Sequence, residues 1–390
     1  NWRRAVQLGG MLVYADHSGA DDVIRYKLLD ASGAWGAQQS VPDFNVPLDR
    51  DARVIALYAS TTRNEKILVT KHVEAGAGDD HYLYAQVFDG ASWGNVVLLA
   101  SWTGTAQASV RDFDGDYLSN GNFVLVYDND SNTPQYRVWN GSSWSAGASV
   151  ANVGGNPDWI VVRTRPGTNE AMLAVRDNRE DTNTVRWDGA VWVGLTEHGT
   201  DSTGRSRENL DFAWSQGTST AGALVFNEAG DNFPNIRIWD GSSWGSIIEN
   251  LNLGARARAM QVTGRFGVNE FLTCVKDGDD DINCLTSDLT PAWSTTVNGE
   301  VETATDGGDQ RSFSVAFEAG GSDRAIAVYA GGPSNSTPKY RSFNPASRTW
   351  SAESALTDVG ANVETVQLVP YSALGVIMAV LAASDQDVWT

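Results

Sequence analysis

The 390-residue sequence predicts an all-β chain, a β-propeller of eight four-stranded blades with the last incomplete. Three observations lead there. An internal repeat runs through Val87-Phe-Asp-Gly-Ala-Ser-Trp93, Arg137-Val-Trp-Asn-Gly-Ser-Ser-Trp144, Arg186-Trp-Asp-Gly-Ala-Val-Trp192 and Arg237-Ile-Trp-Asp-Gly-Ser-Ser-Trp244, with looser copies ending at Trp35, Trp293 and Trp350. The Asp or Asn of each copy, at positions 30, 89, 140, 188, 240, 288 and 344, recurs at differences of 59, 51, 48, 52, 48 and 56, a period of one propeller blade. Short apolar runs bounded by turn residues occur once per period, and no window sustains a helical periodicity.

Each element of the unit has a reason. First strands are expected near Ala5, Val54, Val110, Ile160, Leu210, Met260, Val315 and Val366. The second strand is the most apolar, as in Phe123-Val-Leu-Val-Tyr127 and Ala223-Leu-Val-Phe226, and suits a strand covered on both faces. The third alternates, with Arg137 and Trp139 on one face and Tyr136 and Val138 on the other. Asp-Gly or Asn-Gly then supplies the positive φ angles of a tight hairpin, and a Trp heads the fourth strand. That Trp packs between blades and fills the widening wedge of a radial fold. The unit boundaries fall at approximately 1–45, 46–102, 103–150, 151–201, 202–252, 253–303, 304–357 and 358–390, within one domain. Seven blades, with the two ends merged, is the alternative count.

Composition excludes several partners. Lys plus Arg total 28 against 48 Asp plus Glu, a net charge of -20 that repels nucleic-acid backbone and anionic lipid. No apolar run reaches the roughly 18 residues that cross a bilayer. Of the 48 acids 34 are Asp, which favours turns over helix interiors. The opening Asn1-Trp2-Arg3-Arg4 reads as part of a longer product, so attachment to a larger polypeptide or assembly is expected.

Candidate sites are few. Asp112, Asp114, Asp116 and Asn120 stand at positions one, three, five and nine of Asp112-Phe-Asp-Gly-Asp-Tyr-Leu-Ser-Asn120, oxygen ligands spaced to wrap a calcium ion in a hairpin between first and second strands. Asp277-Gly-Asp-Asp-Asp281 lacks that spacing. Cys274 and Cys284 fall on the second and third strands of one unit, close enough across a short hairpin for a disulfide, which implies an oxidising compartment. Asn129, Asn140 and Asn335 head glycosylation triplets. Gly90-Ala-Ser-Trp-Gly94 and Gly241-Ser-Ser-Trp-Gly245 match a hydrolase nucleophile motif but lie on strand-to-strand hairpins, where that chemistry is not built. The four His residues, at 17, 72, 81 and 198, form no zinc-ligand spacing.

The Asp/Asn-Gly-Ser-Ser-Trp units resemble the tandem propellers of bacterial and archaeal surface proteins. Ala330-Gly-Gly-Pro through Trp350 resembles a Kelch repeat, and Asp112–Asn120 resembles the calcium loop of FG-GAP propellers. The arginines two positions before an aromatic (Arg137 before Trp139, Arg237 before Trp239, Arg341 before Phe343) are similar to the arginine and aromatic pairs of fucose-binding lectin propellers. That likeness implies Arg137, Trp139, Arg237, Trp239 and Arg341 as ligand contacts between blades. The expected function is a non-catalytic extracellular or cell-surface module for binding, adhesion or display, with a surface protein or glycan as partner. A carbohydrate-binding propeller is the first alternative and a polysaccharide-active enzyme using loop carboxylates the second.

Overall fold

The computed structural model describes all residues except 1–9, 17–22, 43–49, 75–79, 105–109, 203, 205–206, 289–293, 306–310, 319–322, 333–334, 372–375 and 386. The first strand expected near Ala5 lies outside the described residues. Every described element is a β-strand, and the strands form eight antiparallel sheets in chain order, the eight-bladed β-propeller fold. The seven-bladed count is set aside. By chain contacts the molecule divides into two compact units, residues 1–171 with 185–195 and residues 172–184 with 196–390.

The sheets are of two alternating builds, which a single fifty-residue period does not anticipate. The second sheet has strands Arg50–Ala59, Lys66–Glu74, Asp80–Phe88 and Trp93–Thr103, all nine residues or longer. In the third, Phe113–Tyr117, Phe123–Tyr127 and Gln135–Trp139 have five residues each and the fourth strand, Ala148–Ser149, has two. The sixth sheet returns to the long build, with Ala257–Gly264, Glu270–Asp277, Ile282–Asp288 and Ser294–Glu302. The fifth and seventh sheets again have first strands of five residues, Leu210–Trp214 and Phe313–Phe317. A register shift near the start of the first strand recurs in the second, sixth and eighth sheets, at Ala52/Val54, Ala257/Ala259 and Val363/Thr365.

The hydrophobic core lies between consecutive sheets and not within any one of them. In the first unit Ile67, Leu83, Phe113, Phe123, Leu125 and Trp139 form one cluster, drawn from the second and third sheets. In the second unit Val225, Ile236, Met260 and Phe271 join the fifth sheet to the sixth, and Leu272, Phe313 and Phe343 join the sixth to the seventh. A single sheet cannot bury both faces, so each blade is stable only against its neighbour, at ~1.5–3 kcal/mol for each large aliphatic side chain buried.

Polar contacts repeat along the first strands as regularly as the apolar ones. The Val162 N–H donates to Asp114 Oδ2 at 3.0 Å, Val262 N–H to Asp211 Oδ2 at 3.2 Å, Val315 N–H to Gln261 Oε1 at 3.0 Å and Leu368 N–H to Ser314 Oγ at 3.1 Å. In every case an acceptor side chain on one first strand receives a backbone N–H of the next. These contacts satisfy buried donors that have no ladder partner on that side.

The repeated hairpin differs from its expectation in one respect. Only the glycine takes a positive φ, 94° at Gly141 and 109° at Gly241. The preceding Asp or Asn acts as a cap instead: Asn140 Oδ1 accepts from the N–H groups of Ser142 and Ser143, both at 2.9 Å, and Asp240 Oδ1 from Ser242 at 2.7 Å and Ser243 at 2.8 Å. The Ser243 and Ser242 donors hold the Asp240 carboxyl down at about 2. The Trp that follows opens a true fourth strand only in long sheets, as Trp93 and Trp192 do. In the third and fifth sheets it closes an isolated bridge, Trp139 to Trp144 and Trp239 to Trp244, and in the seventh Trp350 ends the two-residue strand Thr349–Trp350.

Candidate functional site

The repeated indoles stand between sheets. Trp93 meets Tyr26 of the first sheet edge-on at 5.6 Å, and Trp192 meets Tyr136 of the third at 6.2 Å. The Trp144 Nε1–H donates to the Asn95 carbonyl of the second sheet at 3.1 Å. These are wedge positions, each half-buried.

The five residues expected to touch ligand do not share one environment. Arg137, Arg237 and Arg341 occupy the same register position, facing Leu125, Leu224 and Ala327 on their second strands, and all three are half-buried. Trp139, by contrast, is 1% exposed and packs on Trp144 in the core, so it is removed as a ligand contact. The strand alternates as expected, but the face that Trp139 shares with Arg137 is closed over at that end. Trp239 is half-buried and packs on Trp244 at 5.6 Å.

Arg237 has the most developed surroundings. Its Nε–H donates to the Gly245 carbonyl at 2.9 Å, and Nη1 lies 3.1 Å from His198 Nδ1. A guanidinium only donates, so His198 Nδ1 accepts and the imidazole proton sits on Nε2, 2.8 Å from Thr184 Oγ1. Burial, and then the Arg237 charge, bring the His198 pKa down to about 3, so the ring is neutral at physiological pH. The Trp244 indole stands edge-on to His198 at 4.6 Å. The result is a cation held by neutral partners, beside an aromatic wall, with a guanidinium edge left over for an acceptor from outside. Arg137 instead donates to the Ser145 carbonyl at 2.8 Å. Arg341 turns to the Tyr329 hydroxyl at 3.4 Å, itself bonded to Glu353 at 3.0 Å. The histidine is peculiar to the Arg237 position, and nothing in the repeat marks it: Leu99 stands six residues after Trp93, where His198 stands six after Trp192.

The calcium tract is corrected in its conformation. Phe113–Tyr117 is the first strand of the third sheet, not a loop. Asp112 is fully buried and paired with Lys71. Asp114 accepts from the Tyr58 hydroxyl at 2.8 Å and from Arg163 Nη1 at 2.8 Å, and Asp116 from the Thr164 hydroxyl at 3.0 Å. Asn120 caps its own turn through the Asn122 N–H at 2.9 Å. Extended backbone spreads alternate side chains over several ångströms along the strand, and these four diverge to different neighbours. Among the described residues no group of three His, Cys, Asp or Glu is arranged to hold a metal ion. Thermal melting in excess chelator tests calcium at this tract: a fall in Tm supports it and an unmoved transition removes it.

Cys274 and Cys284 are directly opposed on the second and third strands of the sixth sheet and form a disulfide, with both side chains fully buried. Asn129 and Asn140 are exposed on turns, whereas the Asn335 amide donates to the Gly331 carbonyl at 2.8 Å. Of the histidines, His17 lies outside the described residues and His81 stacks on Trp102 at 5.1 Å.

A second set of charged residues was not singled out from the sequence, although it leaves a plain signal. Glu65 and Lys71, Glu170 and Arg176, and Glu270 and Lys276 each stand six apart around a second strand of the second, fourth and sixth sheets. Lys71, Arg176 and Lys276 are all 0% exposed, and each reaches forward along the chain: Lys71 to Asp112, Arg176 to the Ser202 carbonyl at 2.8 Å, and Lys276 to Ser312 Oγ at 3.2 Å. The glutamates take arginines at the other end, Glu65 with Arg63 at 2.8 Å, Glu170 with Arg186 at 2.9 Å and Glu270 with Arg265 at 2.8 Å. The short sheets have Asn122 and Asp128, and Arg324 and Ala330, at the matching places. The chemical repeat is two blades, about one hundred residues.

Comparison with solved structures agrees with the fold. The chain is similar to the BP39L lectin from Burkholderia pseudomallei, with a TM-score of 0.63 and 13% identity over 90% of this chain and 95% of that one. It is also similar to BBS1N, solved in complex with ARL6DN, with a TM-score of 0.51 and 9% identity over 86% and 90% of the two chains. The WD40 domain of SCAP from fission yeast gives 0.50 and 10% identity, covering 97% of both. No family model and no curated protein matches the chain. At such identities the likeness establishes the propeller fold and nothing finer.

Proposed function

We propose that the chain is a non-catalytic extracellular binding module whose ligand is a carbohydrate, contacted at the third strands of its short sheets. One observation carries the reading: Arg137, Arg237 and Arg341 stand half-buried at one register position in three sheets, with Trp244 against the His198 partner of Arg237 and the Tyr329 hydroxyl bonded to Arg341. A guanidinium with spare N–H groups beside an indole or phenol matches a sugar ring, which offers vicinal hydroxyls at its rim and an apolar C–H face. Several weak sites on one chain give avidity toward a repetitive glycan surface. The lectin among the similar structures is consistent with this reading, and the buried disulfide is consistent with an oxidising compartment. Display on a larger surface protein fits the same module.

The test is an unbiased glycan array followed by titration of the best ligand. Arg237→Ala is expected to weaken binding at least about tenfold, the equivalent of ~1.4 kcal/mol. No bound glycan, or wild-type affinity in all three of Arg137→Ala, Arg237→Ala and Arg341→Ala, overturns the proposal. Turnover of a bound glycan would place the chain among enzymes instead.

A further inference from the structure

On the carbohydrate reading proposed for this chain, we infer that Arg237 selects a single oxyanion, the carboxylate or sulfate of an acidic sugar, with His198 as its positioning residue. Arg63, Arg163, Arg265, Arg311 and Arg348 each hold a carboxylate at 3.0 Å or less. Arg237 holds none. Its partners are the Gly245 carbonyl and the His198 ring, and among the described residues nothing bonds Nη2. Burial alone lowers the Arg237 guanidinium from its ordinary value, whereas Glu270 and Asp323 raise Arg265 against its burial. The acids gathered around Glu228, which are Asp231, Asp201 and Glu249, act on Glu228 and not on Arg237. Glu197 adjoins His198 but is exposed, and strand alternation sends it to the opposite face. A half-buried cation without a counter-charge costs free energy until an anion reaches it.

The donor set decides which group fits. A guanidinium donates and cannot accept, and the acceptors beside it, the Gly245 carbonyl and His198 Nδ1, already receive its N–H groups. The His198 Nε2–H is committed to Thr184. A carboxylate or sulfate only accepts, and it meets the open edge of the fork with charge-assisted bonds roughly twice as strong as neutral ones. Histidine suits its place because a neutral ring fixes the fork without cancelling the charge, as a carboxylate there would. Arg341 is already answered: its charge acts on Glu300, and it shares the Tyr329 hydroxyl with Glu353. The net charge of -20 opposes a polyanion, but screening confines that field to ~8 Å at physiological salt. A lone oxyanion on an otherwise neutral sugar is the form that fits.

A glycan array holding the same sugars in neutral, uronic-acid and sulfated forms tests this on the intact chain, with Kd titrated at low and high salt. Wild type is expected to bind an acidic form at least about tenfold tighter than its neutral counterpart, an advantage that salt erodes. Preference for the uronic acid alone assigns a carboxylate, and for the sulfated form alone a sulfate. His198→Asp, which sets a carboxylate against Arg237, is expected to level the acidic and neutral forms, and so is Arg237→Gln. Thermal melting shows whether each variant is folded, and Arg237→Gln carries the test if His198→Asp melts early. Acidic and neutral forms bound equally by wild type, or a folded Arg237→Gln that keeps the preference, overturns the selection and leaves the carbohydrate reading standing. No bound glycan overturns both.

Discussion

Asp112→Asn is expected to destabilise the protein by roughly 3–5 kcal/mol, the usual cost of leaving a buried charge without its partner. Lys71 and Asp112 are both 0% exposed, and the Lys71 ammonium also lies 5.4 Å over the Trp102 ring, which cannot replace a carboxylate. Burial pushes the Asp112 carboxyl up and the Lys71 charge pulls it back. Asp128, close by, is pushed well above its ordinary value by burial and then by Asp112, as expected where a single lysine faces two buried carboxyls. The amide of Asp112→Asn would leave the buried Lys71 ammonium without the carboxylate it is paired with. Lys71→Met combined with Asp112→Asn is expected to recover most of the loss, because the double variant removes both members of the buried pair. Chemical denaturation measures both. A single variant within about 1 kcal/mol of wild type would mean that the pair contributes little beyond packing.

The second large effect is one of pH. From about pH 4 to about pH 6 the wild type is expected to lose stability as pH rises, relative to Asp277→Asn. The Asp277 carboxyl is raised from 3.8 to about 6, first by burial and further by Asp281 and Asp279, against backbone N–H bonds that lower it. The acids Asp281 and Glu300 are raised as well, while Asp280 is held by Arg258 at 3.2 Å and by Lys276 at 3.6 Å. Below pH 4 both native and unfolded chains hold the Asp277 proton, and its contribution is complete. Between the two pKa values the unfolded chain releases that proton while the native chain keeps it, so the unfolded state gains. The side-chain amide of the Asp277→Asn variant has no proton to lose in this range. Its oxygen can still cap the N–H groups of Asp279 and Asp281, which donate to Asp277 Oδ1 at 3.0 Å in the wild type. The difference in Tm between variant and wild type should widen through this window and level off above it. Parallel curves would refute the assignment.

Much of the architecture was legible because it rests on local chemistry. The period of the Asp-Gly and Asn-Gly hairpins, the apolar second strands and the wedge tryptophans all follow from turn geometry and strand alternation, which neighbouring residues dictate. The disulfide partners were legible for the same reason: a short hairpin leaves Cys274 and Cys284 few places to be but opposite each other. The two-blade alternation was also written in the sequence, as an acid and a cation six residues apart at 65, 170 and 270, but the stronger hairpin signal obscures it.

Other features depended on contacts between residues far apart in the chain. Asp112, Asp114 and Asp116 carry the spacing of cation ligands, yet their partners are Lys71, Arg163 and Thr164, some 40 to 50 residues away. Trp139 and Trp239 are equivalent by repeat, and only packing decides that one is closed off and the other half open. The amino-acid order by itself therefore determined which segments become strands and how they recur, since those choices are made within a few residues. What surrounds each polar side chain, and so whether it binds, braces or merely caps, was decided only when consecutive sheets met, because burial and partnership are properties of that contact and not of the segment alone.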